Sequence, residues 1–276
     1  MRIAALIIQT LRELIAKATL LVLAGISTLI VVILLLGLSS ADSSGGVMVT
    51  VFGLPITPVV TQEQLVQLAK VFQATLAGGL FAGLVLFGVF ATAGVIPEML
   101  EKGTVDLYLS KPLPRWELLL GKYLGAVVVV FLNVVYFIGA LWLVFGVKVG
   151  VWNVGFLSSS LTITFVFTCL FSIAALLGVA SRNMAISIIG AFLYLFVIGP
   201  VLQNREHGIS LISTNQIYRT IVDIFYWVLP QLSAMQDEIR RHITAESGSW
   251  TPFLQSFASS CAILGWASWL FQRRDF

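Results

Sequence analysis

Residues 123–147 read YLGAVVVVFLNVVYFIGALWLVFGV, a run of 25 residues without a charged side chain. A helix needs about 20 mainly apolar residues to cross a hydrocarbon core of about 30 Å. This stretch therefore predicts a membrane-spanning helix, and comparable stretches elsewhere would make the whole chain a membrane protein.

The composition supports that class. Of 276 residues, 58% are apolar and only 11% are charged, and the mean hydropathy is +0.99. Soluble domains carry about 25% charged residues, so a water-soluble globule and a disordered chain are both excluded. The net charge is +3 and the basic residues are scattered, which predicts no nucleic-acid partner.

The gaps between charged residues predict six spans. They cover about 18–41, 71–97, 117–146, 156–180, 183–203 and 250–272. The uncharged stretch 43–62 is rich in Gly and Pro, which favour turns and extended chain. The predicted fold class is an all-α polytopic membrane protein, with residues 1–276 forming a single transmembrane domain.

The distribution of Lys and Arg predicts the orientation. With the N-terminus inside, ten basic residues lie on the cytoplasmic side and six on the outer side. We therefore expect a multi-pass protein of the cell (cytoplasmic or inner) membrane with both termini in the cytoplasm. The first span is expected to act as a retained signal anchor.

Two segments outside the spans have amphipathic patterns. Residues 2–17 predict an interfacial helix, with Ile3, Ile7, Leu11, Leu14 and Ala18 on its apolar side; the alternative is a simple extension of the first span. The outer segment 204–246 predicts a helical hairpin broken at Pro230. It is interpreted either as a packing cover for the spans or as a ligand-binding cap.

The segment between the second and third spans has the most distinctive sequence. Residues 96–115 read IPEMLEKGTVDLYLSKPLPR. Pro97 suits a first helical turn, Gly103 can end that helix, and Thr104 can cap a short helix over 105–110. From these residues alone, the segment is either a rigid cytoplasmic knob or an ordinary charged linker.

A family resemblance bears on that choice. Glu98-x-x-Glu101-x-Gly103-Thr104, then Leu109-Ser110-x-Pro112-x-x-Arg115 and Gly121-Lys122, resembles the signature of ABC type-2 export permeases. In that family this segment corresponds to the coupling helix, which docks on an ATPase subunit. The resemblance implies a coupling segment made of Glu98, Glu101, Gly103, Thr104, Val105, Asp106, Leu107, Leu109, Pro112 and Arg115.

The energy source is expected to lie outside this chain. The uncharged windows contain no ionisable Asp, Glu, Lys, Arg or His, which argues against a secondary transporter, a voltage-gated channel or a proton pump. The chain also lacks Gly-x-x-x-x-Gly-Lys-Ser/Thr. We therefore expect no enzyme site and no cofactor or metal on this chain, with ATP and Mg held by a partner ATPase. His207, His242, Cys169 and Cys261 match no metal or catalytic spacing.

The resulting expectation is the membrane subunit of an ATP-driven exporter. Two copies, as a homodimer or a heterodimer, would pair with two ATPase subunits and move an amphipathic or lipid-like substrate. The candidate path-lining residues are Gln73, Thr75, Asn133 and Gln255, although each could equally bond within the helices. Gly79-x-x-x-Gly83 and Gly121-x-x-x-Gly125 could form dimer contacts or pack helices within one chain. The alternative function is a non-transporting scaffold that couples a cytoplasmic ATPase to an outer-side partner.

Overall fold

The computed structural model describes residues 2–16, 19–43, 46–55, 60–100, 114–205 and 216–273. Over these residues the chain is mostly helical, and one small antiparallel sheet follows the second helix.

The chain begins with two helices that meet at a bend. Helix α1 covers Arg2–Ala16 and α2 covers Thr19–Gly37, and their axes differ by 68°. The amphipathic α1 does not bury the whole of its predicted apolar side. Of the predicted side, Leu14 is buried and Ile7 and Leu11 are half-buried, whereas the buried face also includes Leu6 and Thr10. The cause is the close approach of α1 to Gly121 and Gly125 of a later helix, which lie against Leu6 and Thr10.

The all-α prediction is wrong for the segment after α2. Strands β1 (Leu38–Ser43), β2 (Gly46–Val51) and β3 (Leu54–Pro55) form an antiparallel sheet in the order β1-β2-β3. Leu38 pairs with Val51 at the base of the first hairpin. The predicted first span, 18–41, is therefore too long, because α2 ends at Gly37. A Cβ on Gly37 would lie only 2.8 Å from the ring of Phe52.

Helix α3 covers Gln62–Thr92 and begins well before the predicted span at 71. Thr61 caps it: its hydroxyl accepts from the Gln64 amide, and the Gln64 side chain accepts from the Thr61 amide. The chain then breaks at Ala93 and Gly94 before a short helix α4, Val95–Met99. The predicted second span is thus interrupted near the end that leads into residue 98.

Two long helices form the centre of the molecule. Helix α5 covers Arg115–Val149 and ends at Gly150, whose φ of 75° suits a left-handed cap. Helix α6 covers Val154–Ser181 and begins at an Asn153 side-chain cap. It contacts α3 and α5 as well as three later helices. Phe156, Ile163 and Phe167 on α6 are fully buried, so α6 is the core of the bundle.

The next span is interrupted by a π-helical turn. Helix α7 (Met184–Leu193) continues as a π-helix over Tyr194–Ile198 and then as α8, Gly199–Gln203. Pro200 has no amide hydrogen to continue an α-helical ladder. The Gly199 amide instead donates to the carbonyl of Tyr194, five residues earlier. The wider π-helical turn therefore accommodates Pro200, which has no amide hydrogen to donate.

The predicted outer hairpin is followed by one more long helix. Helix α9 covers Gln216–Val228, α10 covers Leu232–Thr244 and α11 covers Thr251–Arg273. Leu232, Met235, Ile239 and Ile243 of α10 are buried, and α10 packs against α3 and α6. Helix α10 thus packs on the bundle, and the role of the hairpin stays a prediction.

Four stretches of the described chain are long and apolar enough to cross a membrane: Gln62–Met99, Arg115–Val149, Val154–Ser181 and Met184–Gln203. The bent pair α1 and α2 makes a fifth if it is counted as one span. Helix α11 is not in this set, since Gln255, Ser256, Ser259 and Ser260 lower its hydropathy. The count of six spans stays a prediction.

Candidate coupling site

The predicted coupling segment lies mostly outside the described residues. Of its ten named residues, the structure describes Glu98 and Arg115. Glu101, Gly103, Thr104, Val105, Asp106, Leu107, Leu109 and Pro112 lie in the range that it leaves undescribed. The site is therefore characterised by the two ends between which the segment runs.

The first end is anchored to the core through α4. Ile96, Met99 and Leu100 are buried, and α4 contacts both α5 and α6. The ring of Pro97 packs over Gly178 of α6, where an added Cβ would lie 3.3 Å from two ring carbons. Glu98 follows Pro97 and is half-buried.

The second end is anchored to the last helix. Pro114 precedes α5 in an extended conformation, and Arg115 is the first residue of the helix. The Arg115 guanidinium donates to the carbonyls of Phe271 at 3.4 Å and Gln272 at 3.2 Å. These carbonyls belong to the C-terminal turn of α11, where a cation is favoured by the helix dipole. Arg115 therefore connects the end of the segment to α11.

Two turns further along α5, a charge pair connects this helix to α1. The ammonium of Lys122 lies 2.5 Å from Oε2 of Glu13. Lys122 is only 2% exposed and Glu13 is 37% exposed. The Gln9 amide donates to the other carboxylate oxygen of Glu13 at 3.0 Å. A buried ammonium is stable only when it is paired in this way.

Glycines on α5 let α1 approach closely. A Cβ on Gly121 would lie 2.7 Å from Cβ of Leu6, and one on Gly125 would lie 2.6 Å from Cβ of Thr10. Both positions are closer than real Cβ atoms approach. The Thr10 hydroxyl donates to the Leu6 carbonyl and so leaves no polar group unpaired in the contact. Gly121 and Gly125 thus seat α1 within the chain, which accounts for the buried face of α1.

The candidate path-lining residues have separate partners. Gln73 is buried and accepts a hydrogen bond from Asn153, which also donates to the Ile243 carbonyl. Asn133 accepts from Ser27 of α2 at 3.3 Å. Thr75 is exposed and donates to the carbonyl of its own helix at Val71. Gln73 and Asn133 thus connect different elements and Thr75 bonds within its own helix, and the path-lining role of all three stays a prediction.

The fourth candidate, Gln255, belongs to a group of hydrogen bonds around the predicted outer hairpin of α9 and α10. We name this group the clasp. Its side-chain amide donates to the carbonyls of Tyr226 and Trp227 at the end of α9. Its oxygen accepts from the Gln231 side chain at 2.6 Å. Two further hydrogen bonds complete the clasp: the Tyr194 hydroxyl donates to the Pro230 carbonyl, and the Gln231 amide donates to Ser256.

A charge pair fixes the start of the hairpin as well. Arg205 contacts Asp223 at 2.8 Å and lies over the ring of Tyr226. Burial lowers the pKa of Arg205, but the hydrogen bonds with Asp223 and Tyr226 outweigh it, so the pKa is raised overall. Ile221, Ile224, Phe225, Trp227 and Val228 of α9 are exposed, whereas Val222 is half-buried.

The two histidines differ in what the structure shows. His207 lies outside the described residues, whereas His242 contacts the Ser158 hydroxyl at 2.8 Å. Within the described ranges, no cluster of three or more His, Cys, Asp or Glu side chains could hold a metal ion.

The pairing of Glu13 with Lys122 was not predicted from the sequence. Lys122 was noted only as part of the Gly121-Lys122 signature, and 109 positions separate it from Glu13. The available signal was Gly121-x-x-x-Gly125 beside Lys122, which marks a close helix contact without naming the partner helix.

The comparisons with known proteins agree with the proposed resemblance. A family model described as "ABC-2 family transporter protein" matches residues 11–276. No curated protein matches the chain. The matched region includes both anchored ends of the coupling segment and the last six residues of α1, with Glu13 among them. The chain belongs to the ABC-2 family of transporter membrane proteins.

Proposed function

We propose that this permease subunit belongs to an ATP-driven exporter and moves an amphipathic or lipid-like substrate. Two copies assemble in the cell membrane with both termini in the cytoplasm, and two separate ATPase subunits dock on the 98–115 segments. ATP and Mg are bound by those ATPase subunits. Family membership gives the permease class and an ABC ATPase partner in general.

The observation that carries the proposal is the anchoring of both ends of the segment. Pro97 is packed on α6, and Arg115 is bonded to the carbonyls that end α11. Lys122 then ties α5 to α1. A displacement of the segment by a docked ATPase would therefore reach four helices through direct contacts. Such a bundle can act as a two-state element that nucleotide binding biases.

The substrate class is inferred from the chemistry of the spans. The long apolar helices α3 and α6 contain neutral polar groups such as Gln73, Thr164 and Thr168. Residues 71–92 of α3 and 154–181 of α6 include no charged residue. Neutral polar groups on an apolar background suit a molecule that is itself partly apolar. A strongly charged substrate would need compensating charges in the bilayer.

A second function has its own support. The outer hairpin is fixed by the Gln255 clasp and by Arg205, while α9 keeps an exposed apolar side. A rigid element with an exposed face could transmit ATP-driven movement to an outer protein without moving a substrate. This scaffold function is the alternative to export.

The test uses the full chain co-expressed with its ATPase. Leu107→Asp places a charge on a surface that docking would desolvate, so we expect the ATPase to be lost on purification. Leu54→Asp, at an exposed leucine on the opposite end of the bundle, is the matched control and should retain it. Equal ATPase recovery in both variants would contradict the docking assignment.

A transport assay separates the two functions. The complex is placed in vesicles that contain a fluorescent phospholipid, and ATP-dependent movement between leaflets is followed. Export predicts movement that is lost in Leu107→Asp. If no amphiphile moves and hydrolysis responds only to an added outer protein, the scaffold function is correct.

A further inference from the structure

A cavity of about 280 Å³ lies between the β-sheet, the first half of α3 and the end of α5. Its walls include Val49 and Val51 of β2, Leu65, Ala69 and Phe72 of α3, and Phe145 of α5. We name it the hairpin cavity, after the β1–β2 hairpin and not the helical hairpin of α9 and α10. An apolar protein cavity of about 150 Å³ can already bind benzene, so this one has room for a larger apolar group.

The described lining offers water very few polar partners. Thr75 is the single polar residue among the residues that line the cavity, and its hydroxyl donates to the Val71 carbonyl at 2.9 Å. Apolar cavities without polar partners stay dry. An empty cavity of this size would deprive its wall atoms of dispersion contacts. The chemistry therefore favours an apolar occupant.

The position of the cavity identifies a source for that occupant. Helix α3 has 31 residues, which corresponds to about 46 Å and exceeds a hydrocarbon core of about 30 Å. The cavity lies along the end of α3 that is remote from α4. Leu68, Val71 and Phe72 belong to its lining and are also exposed. These apolar side chains place its rim on the lipid-facing surface of a spanning helix.

We propose that the hairpin cavity binds one acyl chain of a phospholipid from the outer leaflet. The strands cover one side of the chain and α3 and α5 cover the other, while the headgroup stays outside. None of the described lining residues is charged, which suits a hydrocarbon chain and disfavours a headgroup in the cavity itself. The assignment to the outer leaflet rests on the proposed function, because docking of the ATPase near residues 98–115 defines the cytoplasmic side.

The test uses the full chain in nanodiscs of a phosphatidylcholine that carries a diazirine at the end of one acyl chain. After transfer to detergent and illumination, we expect about one lipid per chain on peptides that include residues 65–75 or 145–149. Labelling confined to lipid-facing positions such as Leu161 and Leu254, both exposed, would overturn the proposal without any variant.

Two variants fill the cavity from opposite walls, Ala69→Phe from α3 and Val51→Phe from β2. Each should reduce the cavity label at least fivefold. Val147→Phe is the matched control, since Val147 lies between Phe145 and Val149 of the lining but is 73% exposed. Its label should match the wild type. Equal labelling of a folded filling variant and the control would overturn the site.

A final arm separates this site from the proposed function. A diazirine lysophospholipid is added to one side of sealed vesicles of known orientation. Labelling from the side opposite the 98–115 segment supports the leaflet assignment, and labelling only from the same side overturns it. If the cavity labels as expected while the ATPase fails to bind, the proposed function is wrong and the acyl-chain site stands.

Discussion

Lys122 and Glu13 form an ion pair that joins the first helix to the helix following the coupling segment. Their charged atoms are 2.5 Å apart, and the ammonium is almost completely buried whereas the carboxylate is partly exposed. This difference in exposure has a consequence. A carboxylate that loses its partner can be hydrated where it stands, but an ammonium that loses its partner cannot.

The ion pair predicts an asymmetric response to mutation. Glu13→Gln removes the carboxylate that lies 2.5 Å from the buried Lys122 ammonium, so we expect the free energy of unfolding to fall by about 3 kcal/mol. Lys122→Met removes the buried charge and leaves a carboxylate near water, so the loss should be smaller. The measurement is thermal unfolding in detergent, where Glu13→Gln should lower Tm by about 5–10 °C.

The double variant gives the decisive comparison for this pair. Adding Lys122→Met to Glu13→Gln should raise Tm again, because the unpaired charge is removed. Arg12→Gln, at the exposed neighbour of Glu13, is the control and should change Tm little. Simple additivity of the two single effects would show that the pair does not hold α1 to α5.

The close approach of α1 to α5 predicts which glycines tolerate a methyl group. Gly125→Ala would place Cβ 2.6 Å from Cβ of Thr10, whereas nothing lies within 4 Å of a Cβ on Gly139 in the same helix. We expect Gly125→Ala to lower Tm by several degrees. Gly139→Ala should leave Tm unchanged or raise it, since Ala favours a helix by about 1 kcal/mol over Gly.

Removing the Thr10 side chain, which a Cβ on Gly125 would meet, gives a second comparison at the same contact. Thr10→Gly together with Gly125→Ala should recover most of the lost stability. If Gly125→Ala and Gly139→Ala behave alike, α1 does not occupy the groove that Gly121 and Gly125 form.

The helical core could be predicted from uncharged windows because buried spans and lipid-facing spans share long apolar runs. The first and last residues of the helices and strands could not be predicted in this way. Gln62–Lys70 contains charged residues and falls outside any uncharged window, yet the Thr61–Gln64 capping box begins a helix there. Residues 38–41 continue the uncharged run of α2, and only the pairing of 38–43 with 46–51 shows that they form a strand.

The contacts at the candidate site were harder to predict for a different reason. Gly121-x-x-x-Gly125 indicates that some helix approaches α5 closely, but the spacing is the same for a partner in the chain and a partner in a dimer. Arg115 was predicted to belong to the coupling segment because it completes the Ser110-x-Pro112-x-x-Arg115 part of the family signature. Its bonds to Phe271 and Gln272 depend on where the last helix ends in space.

The predicted orientation can be checked by labelling introduced cysteines, after Cys169 and Cys261 are replaced by serine. Gly45→Cys and Gly208→Cys should react with an impermeant maleimide on intact cells. Gly103→Cys should react only after the membrane is permeabilised, because the Lys and Arg asymmetry places that segment inside. The reverse pattern of accessibility would invert the topology and place the coupling segment on the wrong side for an ATPase.

The clasp around the outer hairpin predicts how that hairpin opens. Tyr194→Phe removes the donor to the Pro230 carbonyl, and Gln255→Leu removes the donors to the Tyr226 and Trp227 carbonyls. Each change leaves a buried or partly buried carbonyl unpaired, at about 1–3 kcal/mol.

Hydrogen–deuterium exchange of peptides from Gln216–Val228 and Leu232–Thr244 measures this opening. We expect exchange to become roughly tenfold faster in either variant, since 1.4 kcal/mol corresponds to a factor of ten. Tyr136→Phe is the control, because its hydroxyl contacts Thr28 between α5 and α2, away from the hairpin. Unchanged exchange in both hairpin peptides of the two clasp variants would mean that buried apolar contacts of α10, such as Met235, hold the hairpin without these hydrogen bonds.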